Sequence, residues 1–286
     1  MTISVAHLGP AGTNAETAAL AYVKWLSQQG YECLLCPYST ISQAIEASAT
    51  GGAQLAVVPV ENSIEGSVTV TLDTLWRLDT LRIQHALVIP IQHALVSYAE
   101  NFSEIKTVYS HPQALAQCQK WLERFLPSAL LIPANSTTEA LEYLKDRSLA
   151  AISSVRAAQL YNLPVLTNSI NDYPDNYTRF WVLSKADAPA IAPPLSPDCS
   201  HTSLAFSVGA NVPGTLLKPL QAFASRDINM SRIESRPTKR SLGEYVFFID
   251  LQCDIEQPAA ASAIEELATY TETLKIFGTY SVTTIN

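Results

Sequence analysis

The chain has 286 residues, 48% of them hydrophobic and 15% charged, with a formal net charge of −8. At roughly 150 residues per domain this length predicts about two domains with real cores. The acidic balance excludes a general nucleic-acid binder, which needs a basic stripe, and no apolar run approaches the ~20 residues of a membrane span.

In chain order, Thr2 to Leu8 reads as a strand rather than a signal-peptide start, and it leads into Gly9-Pro10-Ala11-Gly12-Thr13. Thr13 with Glu16 makes a capping box, and the helix that follows stops before Gly30. Cys33 and Cys36 form a lone CxxC in a strand-like run. No second pair or nearby histidine completes a metal site, and His7, His85, His93, His111 and His201 have no ligand spacing, so no metal is expected. With five cysteines at least one is unpaired, as in a reducing cytoplasm. Thr40 with Gln43 opens a second helix, closed by Gly51-Gly52, and Leu55 to Val58 is an apolar strand. Thr107 to Tyr109 is a strand leading into a helix from Pro112 through Trp121 to Phe125. Leu130 to Ile132 is a strand, Ser136 with Glu139 caps a helix, and Leu149 to Ile152 is again a strand. Apolar strands alternating with helices predict an α/β domain over 1–185 with a largely parallel sheet.

Pro189, Pro193, Pro194 and Pro197 mark a semi-extended linker over 186–200. Beyond it, 201–286 reads strand, helix opened by Pro213-Gly214-Thr215, strand from Ile228, strand Tyr245 to Leu251, helix Ala259 to Tyr270, strand Leu274 to Val282. That order, βαββαβ, is ferredoxin-like.

Four polar islands interrupt this pattern. One is Gly9 to Thr13. The second follows the Leu55 strand, where Glu61, Asn62, Ser63, Ser67, Thr69 and Thr71 crowd around Gly66. This is a solvated loop capping a helix or a ligand site beyond a strand's C-terminal end. The third begins at Ser110, with Gln113 and Gln117 on one helix face. The fourth is Asp172 to Phe180, where Arg179 enters an apolar strand and needs an anionic partner, either a ligand or Asp175. Ser136 to Glu139 is a fifth case that a capping box explains.

Pro59-Val60-Glu61-Asn62-Ser63, the Ser-His-Pro-Gln-Ala-Leu-Ala-Gln-Cys run from Ser110, Leu149 to Leu163, and Asn-x-Thr-Arg-Phe at 176–180 resemble the prephenate dehydratase family. Pro213-Gly214-Thr215-Leu216-x-x-x-Leu220, Ile228-Asn229-Met230 and Glu234-Ser235-Arg236-Pro237 are similar to the ACT domain such enzymes carry. Two positions depart from the pattern: Asn14 stands where an aromatic residue is usual, and Thr215 where alanine is. The resemblance implies a two-lobed, type II periplasmic-binding-protein-like catalytic domain, with lobe one near 1–75 and 172–185 and lobe two near 76–171. It also implies a monofunctional cytoplasmic enzyme, inhibited by phenylalanine and paired as a homodimer or homotetramer through its ACT domains.

The reaction implied is decarboxylative dehydration of prephenate to phenylpyruvate, with no cofactor. Thr178 is the proton donor by resemblance, with Glu61 its rival if burial raises its pKa. Arg179 is assigned to the substrate's side-chain carboxylate. Asn62, Ser63, Thr71, Ser110, Gln113, Gln117, Asn176 and Phe180 complete the substrate site. Asn229, Gly214, Thr215, Leu216, Leu220, Glu234, Ser235 and Arg236 form the effector site. Two alternatives stay open, arogenate dehydratase and a non-catalytic amino-acid sensor.

Overall fold

The computed structural model describes residues 2–188, 191, 201–209 and 212–285. The prolines that predict the linker lie outside the described residues. In chain order the elements are β1 (Thr2–Leu8), α1 (Asn14–Gln28), β2 (Glu32–Tyr38), α2 (Ile41–Thr50), β3 (Leu55–Asn62), β4 (Gly66–Ser67), α3 (Thr69–Arg77) and β5 (Leu81–Pro90). Then come β6 (Ala94–Ser97), β7 (Thr107–Ser110), α4 (Pro112–Gln117), α5 (Gln119–Phe125), β8 (Leu130–Pro133), β9 (Leu149–Ser153), α6 (Val155–Leu160), β10 (Val165–Thr167) and β11 (Tyr177–Lys185). The C-terminal module contributes β12 (His201–Ser207), α7 (Leu217–Ala224), β13 (Met230–Pro237), β14 (Tyr245–Leu251), α8 (Pro258–Ala268) and β15 (Thr273–Thr284).

Two sheets organise these strands. The larger runs β13-β14-β12-β15-β5-β11-β3-β1-β2, and the smaller β10-β6-β9-β7-β8. β1 is parallel to β2 and β3, but β11 is antiparallel to both β3 and β5, so the larger sheet is mixed rather than largely parallel. β5, which the sequence reading leaves unassigned, belongs to this sheet. The chain therefore leaves the first lobe after Pro90 and not near residue 75. Two irregular segments connect the lobes, tied where the Asn171 side chain accepts from the His93 N–H at 2.7 Å and donates to the Ile91 carbonyl at 3.0 Å.

Local rules account for most boundaries. Thr13 and Thr40 cap α1 and α2 through their hydroxyls, and Gly51 ends α2 in the left-handed conformation. The helix expected from Pro112 to Phe125 is instead two helices broken at Cys118. Asp172 is the cause: its carboxylate accepts the Lys120 and Trp121 N–H groups at 2.9 and 3.0 Å, and its own N–H takes the Gln117 carbonyl at 2.8 Å. A remote aspartate thus supplies the cap that starts α5. Ser136 Oγ does accept the Glu139 N–H at 2.9 Å, over a 3-10 turn, Glu139–Tyr143, but the Glu139 carboxylate takes the N–H of Asn135 at 3.0 Å rather than that of Ser136. Cys33 and Cys36 lie three apart on β2, which puts them on opposite faces of the strand.

β11 is the central element. Its odd residues Trp181 and Leu183 pack into one apolar cluster with α2, α3 and the C-terminal module, while Phe180 and Val182 pack into another beneath α1. The module has the predicted βαββαβ order, and β15 extends beyond it to pair in parallel with β5. Gly278 allows this. Its φ is +132° and a Cβ would sit 2.9 Å from the Ile83 carbonyl oxygen. His85 of β5 is bonded to Ser281 at 2.8 Å and Thr283 at 3.1 Å on β15. Among the described residues, no helix is long and apolar enough to cross a membrane, and no group of three or more His, Cys, Asp or Glu could hold a metal ion.

Candidate active site

A cavity of about 360 Å³ opens between the lobes. Lobe one lines it with Thr13, Asn14, Pro59, Asn62, Thr178 and Phe180, and lobe two with His93, His111, Gln113, Gln117, Asn135, Ser136 and Thr137, among others. Among the described residues, no lysine or arginine stands in its wall. The N-terminus of α1 faces it through Thr13, Asn14 and Ala15, so neutral donors and a helix dipole are what the cavity offers an anion.

Six polar side chains form one directed chain beside it, and backbone geometry sets the direction. Asn62 Oδ1 accepts the N–H groups of Ile64 and Glu65, both at 3.0 Å. Its amide nitrogen must then donate, and it does so to Thr178 Oγ1 at 2.9 Å, Asn176 Oδ1 at 2.8 Å and the Tyr177 carbonyl at 3.1 Å. With its oxygen occupied, Asn176 donates to Gln117 Oε1 at 2.9 Å. His93 Nε2 lies 2.9 Å from the same oxygen and therefore carries a proton there. Gln117 Nε2 donates onward to Glu65 at 3.3 Å. Burial lowers the His93 pKa against the opposing pull of Gln117, which keeps the ring neutral. Thr178 thus has an acceptor position filled by Asn62 while its own proton is free for a ligand in the cavity.

Strand alternation separates the expected catalytic residues. Thr178 and Phe180 face the cavity, whereas Arg179 projects from the opposite face of β11. There it meets Glu61 at 3.5 Å and Asp250 of β14 at 3.1 Å, not Asp175. Arg179, expected at a substrate carboxylate, thus stands behind the cavity wall with Glu61, its partner in the β3–β11 register, and does not line the cavity. Ser63 ties the Asp175 carbonyl and Tyr177 N–H, Thr71 donates to the Pro59 carbonyl, and Ser110 donates to the Ile152 carbonyl. These three hold backbone and line no part of the cavity. Asn176 is buried behind the wall within the amide chain.

Several contributors escaped the sequence reading. Thr137 and Ser136 sit in a turn whose capping box already satisfied a local explanation. His93 looked isolated because its partner lies on another element. Asn14 lines the cavity where an aromatic residue is usual. Asp250 had a visible signal, since an acidic residue within the apolar run Tyr245–Leu251 needs a partner.

In the C-terminal module, Gly214 has a φ of +82° and open space about its Cβ position, in the turn before α7 rather than at its first residue. Thr215, Leu216 and Leu220 follow in that turn and helix, and Asn229 donates to Gln252 at 2.7 Å. β13 alternates: Glu234 accepts from Ser67 at 3.2 Å and Arg236 grips Asp73 with two bonds at 3.0 and 3.1 Å, whereas Ile233 and Ser235 are exposed.

A family model described as prephenate dehydratase matches residues 5–188, and one described as ACT domain matches residues 202–269. A bifunctional chorismate mutase/prephenate dehydratase of Aquifex aeolicus is 40% identical over 97% of this chain and 73% of its own length. A prephenate dehydratase of Lactococcus lactis subsp. cremoris is 36% identical over 98% of both. The solved prephenate dehydratase of Arthrobacter aurescens in complex with L-Phe superposes with a TM-score of 0.83 at 34% identity, over 98% of this chain and 90% of that one. With its cleft, its ACT module and this near full-length similarity, the chain belongs to the prephenate dehydratase family.

Proposed function

We propose that the chain converts prephenate to phenylpyruvate, carbon dioxide and water, and that Thr178 protonates the departing ring hydroxyl. The observation that carries the assignment is the Asn62 bond to Thr178 Oγ1 at 2.9 Å, which fills an acceptor site and leaves the threonine proton to point elsewhere. The carbon–carbon bond electrons of the lost carboxylate flow into the ring, the carbon–oxygen bond electrons leave with the hydroxyl, and that oxygen takes up a proton as water. The step is redox-neutral and aromatisation drives it. A threonine hydroxyl is a weak acid, so its proton is shared in the transition state while Asn62 stabilises the oxygen it leaves.

The cavity wall suits this chemistry. A strongly paired ring carboxylate resists losing carbon dioxide, and the wall offers it no cation. The α1 N-terminus and the side chains of Asn14, Gln113, Ser136 and Thr137 are neutral groups suited to the pyruvyl end. Glu61 is the weaker candidate for the acid because it shares the far face of the strand with Arg179.

We also infer that phenylalanine inhibits by binding at the ACT module near Gly214, between modules paired as a homodimer or homotetramer. The L-Phe complex of the Arthrobacter relative and the open space about the Gly214 Cβ position, where a carboxylate can approach the backbone, support this reading.

The test compares Thr178→Val, Thr178→Ser and Glu61→Gln in phenylpyruvate formation, with arogenate as a parallel substrate. A lost general acid costs about 10²–10⁴-fold, so Thr178→Val should fall by that factor in kcat while Thr178→Ser retains most of it. Loss in Glu61→Gln with an active Thr178→Val would transfer the role to Glu61. Faster turnover of arogenate than of prephenate would change the substrate.

A further inference from the structure

Asp250 is fully buried on β14 and collects four donors. Its Oδ1 accepts from Ser203 Oγ at 2.6 Å and Arg232 Nη2 at 3.2 Å, and its Oδ2 from Arg232 Nε at 2.8 Å and Arg179 Nη1 at 3.1 Å. An isolated carboxylate at such a site is costly, and this one persists because every lone-pair direction meets a donor. Arg232 also lies over the Trp181 ring, 5.5 Å from its centroid. The C-terminal module therefore grips two alternate residues, Arg179 and Trp181, on the back of the strand whose front carries Thr178.

Arg179 is shared between domains. On the catalytic side it has Glu61 at 3.5 Å, and on the module side Asp250 at the shorter 3.1 Å. A ligand shifts a protein only through contacts that differ between two states. A guanidinium held between carboxylates on separate domains is such a contact, because a small displacement of β14 changes which one it favours. Ser67–Glu234 and Asp73–Arg236 link the same two domains beside it but touch no residue adjoining Thr178. We propose that the Arg179–Asp250 bond carries the effector state of the ACT module to the catalytic strand, with Asp250 the residue on which the coupling depends. This rests on the reading that phenylalanine acts at the module.

The test titrates L-phenylalanine into the full-length wild type and Asp250→Asn, measuring prephenate turnover and, by calorimetry, direct binding. The variant should bind phenylalanine within about threefold of wild type and keep its uninhibited kcat, yet need at least about tenfold more phenylalanine for half-inhibition, within the usual range of coupling free energies. Should the single variant unfold, Asp250→Asn combined with Arg232→Gln removes one charge of each sign and is read the same way. Undiminished inhibition in a folded variant overturns the proposal. So does loss of phenylalanine binding, which would put Asp250 in the effector site, or loss of kcat with inhibition intact, which would make it a support for catalysis alone. A wild type that phenylalanine neither binds nor inhibits overturns the effector reading itself, and the coupling with it.

Discussion

Replacing Asn62 by aspartate changes one NH₂ group to an oxygen, with almost no change of shape. One carboxylate oxygen still accepts the Ile64 and Glu65 N–H groups. The other then faces three acceptors that Asn62 now serves, Asn176 Oδ1, Thr178 Oγ1 and the Tyr177 carbonyl. Asn176 can rotate its amide to donate, but its oxygen then meets Gln117 Oε1, and a Gln117 flip presses an oxygen on Glu65. The Thr178 hydroxyl can instead turn toward the new carboxylate, which withdraws its proton from the substrate. At about 1–3 kcal/mol for each buried group left unsatisfied, two such groups predict a stability loss of about 2–6 kcal/mol. The lost acid function predicts a kcat reduced by at least about 10²-fold, with KM within a few fold. Steady-state phenylpyruvate formation and urea unfolding measure the two effects. Because both substitutions would silence one hydroxyl, Asn62→Asp combined with Thr178→Val should be little worse in kcat than either alone. A folded Asn62→Asp enzyme with kcat near wild type, or fully multiplicative losses in the double variant, would refute the directed chain.

Two further outcomes follow from the join between the domains. Gly278→Ala should destabilise the protein by about 1–3 kcal/mol of backbone strain, since its φ is +132° and the added carbon would meet the Ile83 oxygen at 2.9 Å; an unchanged unfolding midpoint would disprove the close approach. Burial lowers the His85 pKa from 6.5 to about 4. Below pH 6.5 the unfolded chain therefore takes up a proton that the folded one refuses. The stability due to neutral His85 is complete above pH 6.5 and declines as pH falls toward about 4, by about 3 kcal/mol in all at 1.36 kcal/mol per pH unit. Denaturant unfolding of wild type and His85→Gln across that range should show a shallower slope in the variant, and parallel slopes would exclude the histidine.

Much of this protein was determined by residues acting on near neighbours. The caps at Thr13 and Thr40, the glycine stop at Gly51 and the βαββαβ order of the C-terminal module all follow from contacts a few residues apart. So does the composition of the islands that supply Asn62, Gln113, Gln117, Thr178 and Phe180 to the cavity. Tertiary structure decided what these groups do. Period-two alternation puts Thr178 and Arg179 on opposite faces of any strand, but only the sheet shows which face is the cavity and which meets Asp250. The break at Cys118 is made by Asp172, more than fifty residues away, overriding a sequence with good helix signals. Asn62 reaches Asn176 across 114 positions, and Arg179 reaches Asp250 across 71. Hydrogen bonds and buried charges at such separations depend on strand register and domain packing, which one residue of slippage would reverse. The chemistry was therefore legible as a set of residue types, while their partners, and so their roles, came from the fold.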